Sequence, residues 1–145
     1  MTQALTLTLR NTLDEIPRIG QAVEGFFDRH RLPQRACMHL TIALDELATN
    51  AISYGFEPGI DRPDAVRVTL ELRERDILAM IEDSGKPFDP LSVPEPDTTL
   101  AVDERAIGGL GVHFVREFMD EVTYERTEGL NRVRMRKRLA DDRQT

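Results

Sequence analysis

The stretch Leu44-Asp45-Glu46-Leu47-Ala48-Thr49-Asn50-Ala51 decides the fold, because it carries two polar groups one helical turn apart in an otherwise apolar run. Apolar residues around it recur at steps of four, three and four, which predicts a helix with one buried stripe. Pro33 suits the first turn of this helix, which we expect to run to Tyr54. The stripe consists of Leu40, Leu44, Leu47 and Ala51.

A carboxylate and a carboxamide share a neighbouring face of this helix. Glu46 and Asn50 are four residues apart, so their side chains point the same way from one rigid element. Such a pair on a helix is ordinarily part of a solvated face. It also has the oxygen atoms that a hard cation prefers. The pair alone favours the first interpretation, and the rest of the chain decides between the two.

Two later stretches bear on that decision. The apolar run Ile77-Leu78-Ala79-Met80-Ile81 predicts a buried strand, and it leads into Asp83-Ser84-Gly85. Further on, Gly108-Gly109-Leu110-Gly111 opens another helical pattern. An ExxxN helix, a strand ending in DxG and a glycine-rich helix start therefore follow one another along the chain.

These three boxes, in this order, resemble the N, G1 and G2 boxes of the Bergerat-fold ATPases, which include gyrase, the mismatch-repair ATPases and histidine kinases. The subgroup that the chain resembles most is the anti-sigma-factor serine/threonine kinase family. That resemblance rests on Asp83-Ser84-Gly85-Lys86-Pro87-Phe88-Asp89-Pro90, and on Met119-Asp120-Glu121-Val122 after the glycine box. It covers nearly the whole chain.

The resemblance implies an ATP site with Mg²⁺ as cofactor. Asp83 would accept a hydrogen bond from the exocyclic amino group of adenine, which guanine does not offer at that position. Gly85 would let the base approach the backbone. Asn50 would give one oxygen to Mg²⁺, whose octahedron phosphates and water complete. Glu46 would be the catalytic residue that orients or deprotonates the attacking hydroxyl.

The glycine box would bind phosphate through backbone amides at a helix start, where the helix dipole favours negative charge. The phosphate-binding residues implied are Gly108, Gly109, Leu110 and Gly111, with Lys86 and Arg105 as further contacts. In the family, the attacking hydroxyl belongs to an anti-anti-sigma partner of STAS type, and the kinase also sequesters a sigma factor. The resemblance allows a homodimer and predicts no direct contact with nucleic acid or membrane.

The chain departs from the family pattern at three places. Pro87 stands where members often have a second glycine, which stiffens the loop after Asp83. Asn131-Arg132 replaces a threonine pair that is common near the last strand. The sequence also lacks the basic, threonine-containing lid of the sporulation-type kinases.

Length and composition indicate one domain. The chain has 145 residues and 40% hydrophobic content, so we expect a single domain over residues 1–140 and a polar tail at 141–145. A net charge of -7 argues against general polyanion binding. The single cysteine, Cys37, fits a reducing compartment, and no apolar run has the length of a membrane span. We therefore expect a cytoplasmic protein.

The periodicity along the chain predicts the remaining elements. Strands are expected at 5–9, 66–73, 77–81, 122–124 and 133–139, and a first helix at 16–27. Between the last two strands, Glu128-Gly129-Leu130-Asn131 predicts a hairpin turn. The third helix should bury Leu110, Phe114 and Phe118. Residues 86–107 lose periodicity and contain four prolines, which indicates a lid over nucleotide. The order predicts an α+β two-layer sandwich, with three helices on one face of a mixed β-sheet.

Arginines alternate along the last predicted strand, at 132, 134, 136 and 138. They admit a nucleic-acid hypothesis, but acidic neighbours such as Glu71 and Glu125 make an ion-paired, solvated sheet face the stronger interpretation.

Three functions remain open: a serine/threonine kinase that also sequesters a sigma factor, a nucleotide-binding interaction module without phosphotransfer, and a catalytic fragment of a histidine kinase. The third is the weakest, because the chain's histidines lie within the ATPase-like domain and no separate phosphoacceptor hairpin is present. These histidines are His30, His39 and His113.

Overall fold

The computed structural model describes residues 3–92 and 109–139, the first four of the second range by their backbone. Within these ranges, five strands and three α-helices follow one another in the predicted order. They are β1 (Gln3–Leu9), α1 (Pro17–Arg29), α2 (Gln34–Tyr54), β2 (Val66–Leu72), β3 (Asp76–Asp83), α3 (Gly109–Phe118), β4 (Glu121–Thr127) and β5 (Leu130–Arg138).

The five strands form one sheet in the order β1-β2-β3-β5-β4. All four neighbouring pairs are antiparallel. β3 and β4 run in the same direction, but β5 lies between them. The described sheet is therefore uniformly antiparallel where the sequence indicated a mixed one, because the β4–β5 hairpin inserts its second strand beside β3.

The two-layer α+β architecture is confirmed. β3 is the middle strand, and its inward-facing residues Ile77, Ala79 and Ile81 are buried, which explains why the sequence there is apolar. The helices cover this inner face, with α2 in contact with α1, α3, β2, β3 and β5. The central helix and the central strand therefore share one hydrophobic core.

Helix α2 follows its sequence pattern closely. Pro33 is extended, with φ of -62° and ψ of 136°, and the helix begins directly after it. Leu40, Leu44 and Leu47 are buried as predicted, whereas Ala51 is only partly buried. The helix ends where the Gly55 N–H donates to the Ala51 carbonyl at 2.8 Å.

The buried stripe predicted for α3 is confirmed at Phe118, which is partly buried against the core, and wrong at Phe114. Val115 and Met119 face the core, whereas Phe114 is 38% exposed, and the side chain of Leu110 lies outside the described residues. Phe114 stacks on Phe118, with 5.6 Å between ring centroids. The buried stripe is therefore shifted to Val115 and Met119, and Phe118 lies at its edge, where its ring also stacks on His39 with 4.1 Å between ring centroids.

The hairpin between β4 and β5 is tighter than the sequence indicated. Its turn consists of Glu128 and Gly129 alone, with φ of 54° and 79°, as a two-residue type I′ turn requires. The predicted turn reached to Asn131. Asn131 instead lies in β5, directly opposite Arg126 on β4 and Asp83 on β3.

The outer face of the sheet carries paired charges. Arg132 lies 2.7 Å from Glu82 and 3.1 Å from Glu125. Arg136 pairs with Glu121 at 2.9 Å and more loosely with an aspartate of β3. The ion-paired interpretation is confirmed for the arginines at 132, 134 and 136, although Glu71 binds Arg73 instead.

The lid predicted at 86–107 lies outside the described residues from position 93 onward, as does the tail at 141–145. The described part, 86–92, is a loop that ends in a short 3₁₀ turn at Pro90–Ser92. Of the helices that the structure describes, none combines the length and the hydrophobicity that crossing a membrane requires.

Leu44→Ala should lower the free energy of unfolding by about 3–5 kcal/mol, because it removes a fully buried side chain from the middle of the core. Leu13→Ala is the matched control, since Leu13 is 54% exposed. Urea titration followed by circular dichroism measures both. Equal losses in the two variants would contradict the assigned core.

Candidate functional site

A cleft opens between the C-terminal half of α2 and the end of β3. It contains about 450 Å³ of space between atoms, including its open mouth. Asn50, Asp83 and Lys86, which the sequence analysis assigned to the site, all line the cleft. Asn50 therefore meets Asp83 and Lys86, which lie 33 and 36 positions later in the sequence.

Asp83 ends β3 and turns its carboxylate toward the cleft. Its Oδ1 atom accepts hydrogen bonds from the Asn131 side-chain amide at 2.9 Å and from the Gly85 N–H at 3.0 Å. Burial raises the pKa of Asp83, and the hydrogen bonds from Asn131 and Gly85 together with the charge of Arg126 oppose that rise. Three favourable interactions therefore stabilise the ionised form of this carboxylate against the effect of burial.

The sheet register explains why polar groups meet here. Asp83, Asn131 and Arg126 face one another across β3, β5 and β4. The Arg126 guanidinium donates to the Gly85 carbonyl at 2.8 Å. Farther along the same inner face the positions of β3 and β5 are apolar, as at Ile81 and Val133. One end of an otherwise hydrophobic face is thus polar.

Gly85 packs directly against the end of α2. A Cβ atom on Gly85 would lie 2.8 Å from the Gly55 carbonyl oxygen and 2.9 Å from the Gly55 Cα. The Lys86 N–H donates to the same Gly55 carbonyl at 2.9 Å. The missing side chain therefore lets two backbones touch, which is a structural reason beside the expected approach of a base.

Glu46 and Asn50 share one face of α2, as their spacing predicted. The Asn50 side-chain nitrogen is 3.5 Å from Glu46 Oε1. Asn50 is 8% exposed and lines the cleft, whereas Glu46 is partly buried beside it. Burial raises the pKa of Glu46, and the contact with Asn50 opposes the rise. A carboxylate with raised proton affinity suits a proton acceptor at neutral pH.

The residues present are compatible with Mg²⁺ bound together with nucleotide phosphates. Among the described residues, no group of three or more His, Cys, Asp or Glu side chains could hold a metal ion. Mg²⁺ in nucleotide sites, however, takes few protein ligands and keeps phosphates and water. Because the nitrogen of the Asn50 amide faces Glu46, its oxygen remains available to such an ion.

The phosphate-binding residues are only partly described. Gly109, Leu110 and Gly111 form the first turn of α3, whereas Arg105 and Gly108 lie outside the described residues. Lys86 is exposed at the cleft, with its Nζ atom 3.6 Å from Glu57 Oε1. This exposed pair contributes little to stability, so the ammonium group can exchange its partner for phosphate.

The sequence analysis missed several residues of the cleft. Tyr54 and Phe88 place exposed aromatic rings in its wall, and Ile81 and Val133 form an apolar part of it. Asn131 was noted only as a departure from the family pattern. Once the hairpin turn is assigned correctly, the alternation of side chains along β3 and β5 marks Ile81, Val133 and Asn131 as inward-facing.

Asp45, next to Glu46, is a second partly buried carboxylate in α2. Its Oδ1 atom has no hydrogen-bond partner within the described part of the chain. Burial raises the pKa of Asp45 to about 6. The group therefore destabilises the folded state when it is ionised.

Comparison with known proteins places the chain beside bacterial regulators. Residues 9–137 match the family model of the histidine kinase-like ATPase domain. The serine/threonine-protein kinase BtrW of Bordetella bronchiseptica is 32% identical over 105 residues, which is 72% of each chain. The anti-sigma F factor of Clostridium novyi is 34% identical over 127 residues, or 81% of this chain and 82% of that protein. The serine-protein kinase RsbW of Bacillus pumilus is 32% identical over 108 residues, covering 72% and 66% of the two chains.

Solved structures share the fold at low sequence identity. The RsbU and RsbW domains of Rv1364c from Mycobacterium tuberculosis match 96% of this chain and 33% of that one, with a TM-score of 0.70 and 13% identity. The histidine kinase AdeS of Acinetobacter baumannii matches 96% and 68% of the two chains, with a TM-score of 0.52 and 13% identity. These matches support the fold alone.

Gly85→Ala should destabilise the protein by about 1–3 kcal/mol and weaken ligand binding in the cleft, because the new methyl group collides with the Gly55 backbone. Gly25→Ala is the matched control: a Cβ on Gly25 of α1 meets nothing within 4 Å, and alanine favours a helix. Thermal unfolding should rank Gly25→Ala at or above the wild type. A Gly85→Ala variant of wild-type stability would refute the close contact.

Asp45→Asn should stabilise the fold at neutral pH and have no effect near pH 4. Because the folded-state pKa is raised to about 6, the penalty of ionising Asp45 grows as pH rises above its ordinary value and is complete above about 6. We expect a gain on the order of 1–2 kcal/mol at pH 8. Urea titrations at both pH values measure it, with the exposed Asp28→Asn as control; a gain independent of pH would contradict the assignment.

Proposed function

The chain belongs to the histidine kinase-like ATPase domain family, and from this we propose that it is a serine/threonine protein kinase acting on an anti-anti-sigma partner of STAS type. Its relatives at 32–34% identity are named as serine/threonine kinases and as an anti-sigma factor. We infer from the same relatives that it also binds a sigma factor, by itself or as a homodimer. Partner exchange would then be controlled by phosphorylation.

One observation carries the proposal: Asn50 and Asp83 line the same cleft. Asn50 comes from the helix layer and Asp83 from the end of the central strand. A carboxylate at one end suits the amino group of adenine, and a carboxamide oxygen at the other suits a phosphate-bound cation. The carboxylate therefore suits the adenine end of ATP, and the carboxamide suits its phosphate end.

The apolar wall of the cleft supports a purine base between these ends. Ile81 and Val133 offer a surface for the flat ring, and the exposed rings of Tyr54 and Phe88 lie at its wall. The first turn of α3 contains three residues of the predicted glycine box, and backbone N–H groups at a helix start favour phosphate. Lys86 supplies a positive charge at the cleft.

Glu46 is assigned the proton-accepting role. The partner's hydroxyl oxygen attacks the γ-phosphorus, the bond from that phosphorus to the bridging oxygen of ADP breaks, and the Glu46 carboxylate takes the hydroxyl proton. The raised pKa of Glu46 makes it a better base than an exposed glutamate. Mg²⁺, when bound, supplies neutralisation of the phosphate charge, and Asn50 is the residue that would hold it.

A nucleotide-binding interaction module without phosphotransfer is the second candidate. In the described part of the chain, Glu46 contacts Asn50 but does not itself line the cleft. ATP binding through Asp83 and Asn50 therefore does not depend on it. Such a module retains the nucleotide and its partners and lacks the transfer step. A phosphotransfer assay therefore separates the two functions.

Glu46→Ala should abolish transfer of labelled phosphate to a STAS-domain partner while ATP affinity stays within about twofold, since Glu46 acts after ATP has bound. Asn50→Ala should weaken Mg²⁺-dependent ATP binding as well. Glu24→Ala, on the exposed face of α1, is the control and should match the wild type in both assays.

Two results would change the assignment. Transfer by Glu46→Ala at the wild-type rate would remove Glu46 from catalysis. A wild-type protein that binds ATP with Mg²⁺ but phosphorylates no STAS partner would establish the interaction-module function instead.

A further inference from the structure

Asn131 uses its whole hydrogen-bonding capacity at the polar end of the cleft. Its amide nitrogen donates to Asp83 Oδ1 at 2.9 Å and to the Lys86 carbonyl at 2.7 Å. Its amide oxygen accepts from the Phe88 N–H at 3.1 Å and from the Tyr124 hydroxyl at 2.7 Å. The residue is 4% exposed, and both donors and both acceptor sites of its side chain are satisfied.

These bonds give Asp83 a fixed orientation. Within the part of the chain that the structure describes, the two groups that donate to this carboxylate, Asn131 and the Gly85 N–H, both bind Oδ1. Oδ2 is left as the acceptor for a ligand. A carboxylate held by one oxygen cannot rotate to offer a different geometry without breaking both bonds.

We propose that Asn131 is the positioning residue for base recognition: it holds Asp83 by Oδ1 so that Oδ2 faces the exocyclic amino group of a purine. The proposal rests on the proposed ATP-binding function. Asn131 stands where the family often has a threonine. The proposal gives this residue a role, through Asp83, in the choice between adenine and guanine.

The electrostatics of the site support this role. Burial favours the protonated form of Asp83, and the hydrogen bond from Asn131 is the largest effect that keeps its pKa down. Arg126 on β4 adds a smaller opposing effect, and Lys86 on the loop lines the same cleft. A protonated carboxyl can donate to the carbonyl oxygen of guanine, so losing Asn131 should reduce selectivity as well as affinity.

The same residue ties the base site to the loop that follows it. Through Lys86 and Phe88, Asn131 holds the backbone of that loop at two points. The Phe88 ring is therefore kept at the wall of the cleft by the group that also orients Asp83. Base recognition and the position of the loop share one anchor.

The test compares ATP and GTP binding by calorimetry, with Mg²⁺, from pH 5 to pH 9. Asn131→Ala should lose at least about tenfold in ATP affinity and less in GTP affinity, so that the ATP/GTP preference falls. The pH below which ATP binding is lost should move upward. Asn11→Ala is the matched control, since Asn11 also bridges backbone groups, at Ile60 and Arg62 of a surface loop.

Equal losses for ATP and GTP, with an unchanged pH profile, would mean that Asn131 only supports the loop, and this would overturn the proposal. Wild-type protein that binds both nucleotides equally would overturn it together with the adenine assignment. Absence of phosphotransfer would affect the kinase function alone, because the readout here is binding.

A second variant covers the case in which Asn131→Ala does not fold. Tyr124→Phe removes one donor to the Asn131 oxygen and keeps the ring. It should lower the ATP/GTP preference by roughly two- to fivefold, with a wild-type circular dichroism spectrum. An unchanged preference in this variant would overturn the proposal.

Discussion

The antiparallel register of β3, β5 and β4 is the constraint on which the site depends. It places Asp83, Asn131 and Arg126 in one row across the inner face of the sheet. Because side chains alternate along a strand, a slip of β5 by one residue would send Asn131 to the outer face and separate it from Asp83 and Arg126. The outer face already holds Glu82 and the alternating arginines. The polar end of the cleft and the charged back of the sheet are thus fixed by the same pairing.

The sequence predicted the elements whose periodicity is strong. Helix α2 and strand β3 were assigned nearly to the residue, because a four-three-four apolar step and a continuous apolar run each have one simple structural solution. It also brought Asn50 and Asp83 into one site, through the resemblance of the boxes that carry them. Both residues line the cleft, although their roles remain predictions.

Other parts of the fold and of the site could not be predicted from the periodicity of the sequence. The sequence analysis assigned Asn131 to the hairpin turn. The real turn has only two residues, because Glu128 takes a positive φ that a glutamate rarely adopts, and the sequence does not indicate this. Phe114 was assigned to the buried stripe of α3, whereas the next residue, Val115, is buried; both are apolar, so the hydrophobic pattern does not distinguish them. The need for Gly55 opposite Gly85 is a contact between distant backbones, and no local pattern records such a contact.

The contact between Gly55 and Gly85 makes the length of the site a backbone property. The end of α2 and the loop after β3 touch without an intervening side chain, and the Lys86 N–H to Gly55 carbonyl bond locks them together. This backbone contact therefore limits the distance between the amide of Asn50 and the carboxylate of Asp83. Substitutions far from this contact, such as those in the part of the core under α1, can therefore change the stability of the protein while the backbone contact that limits the span offered to a ligand stays in place.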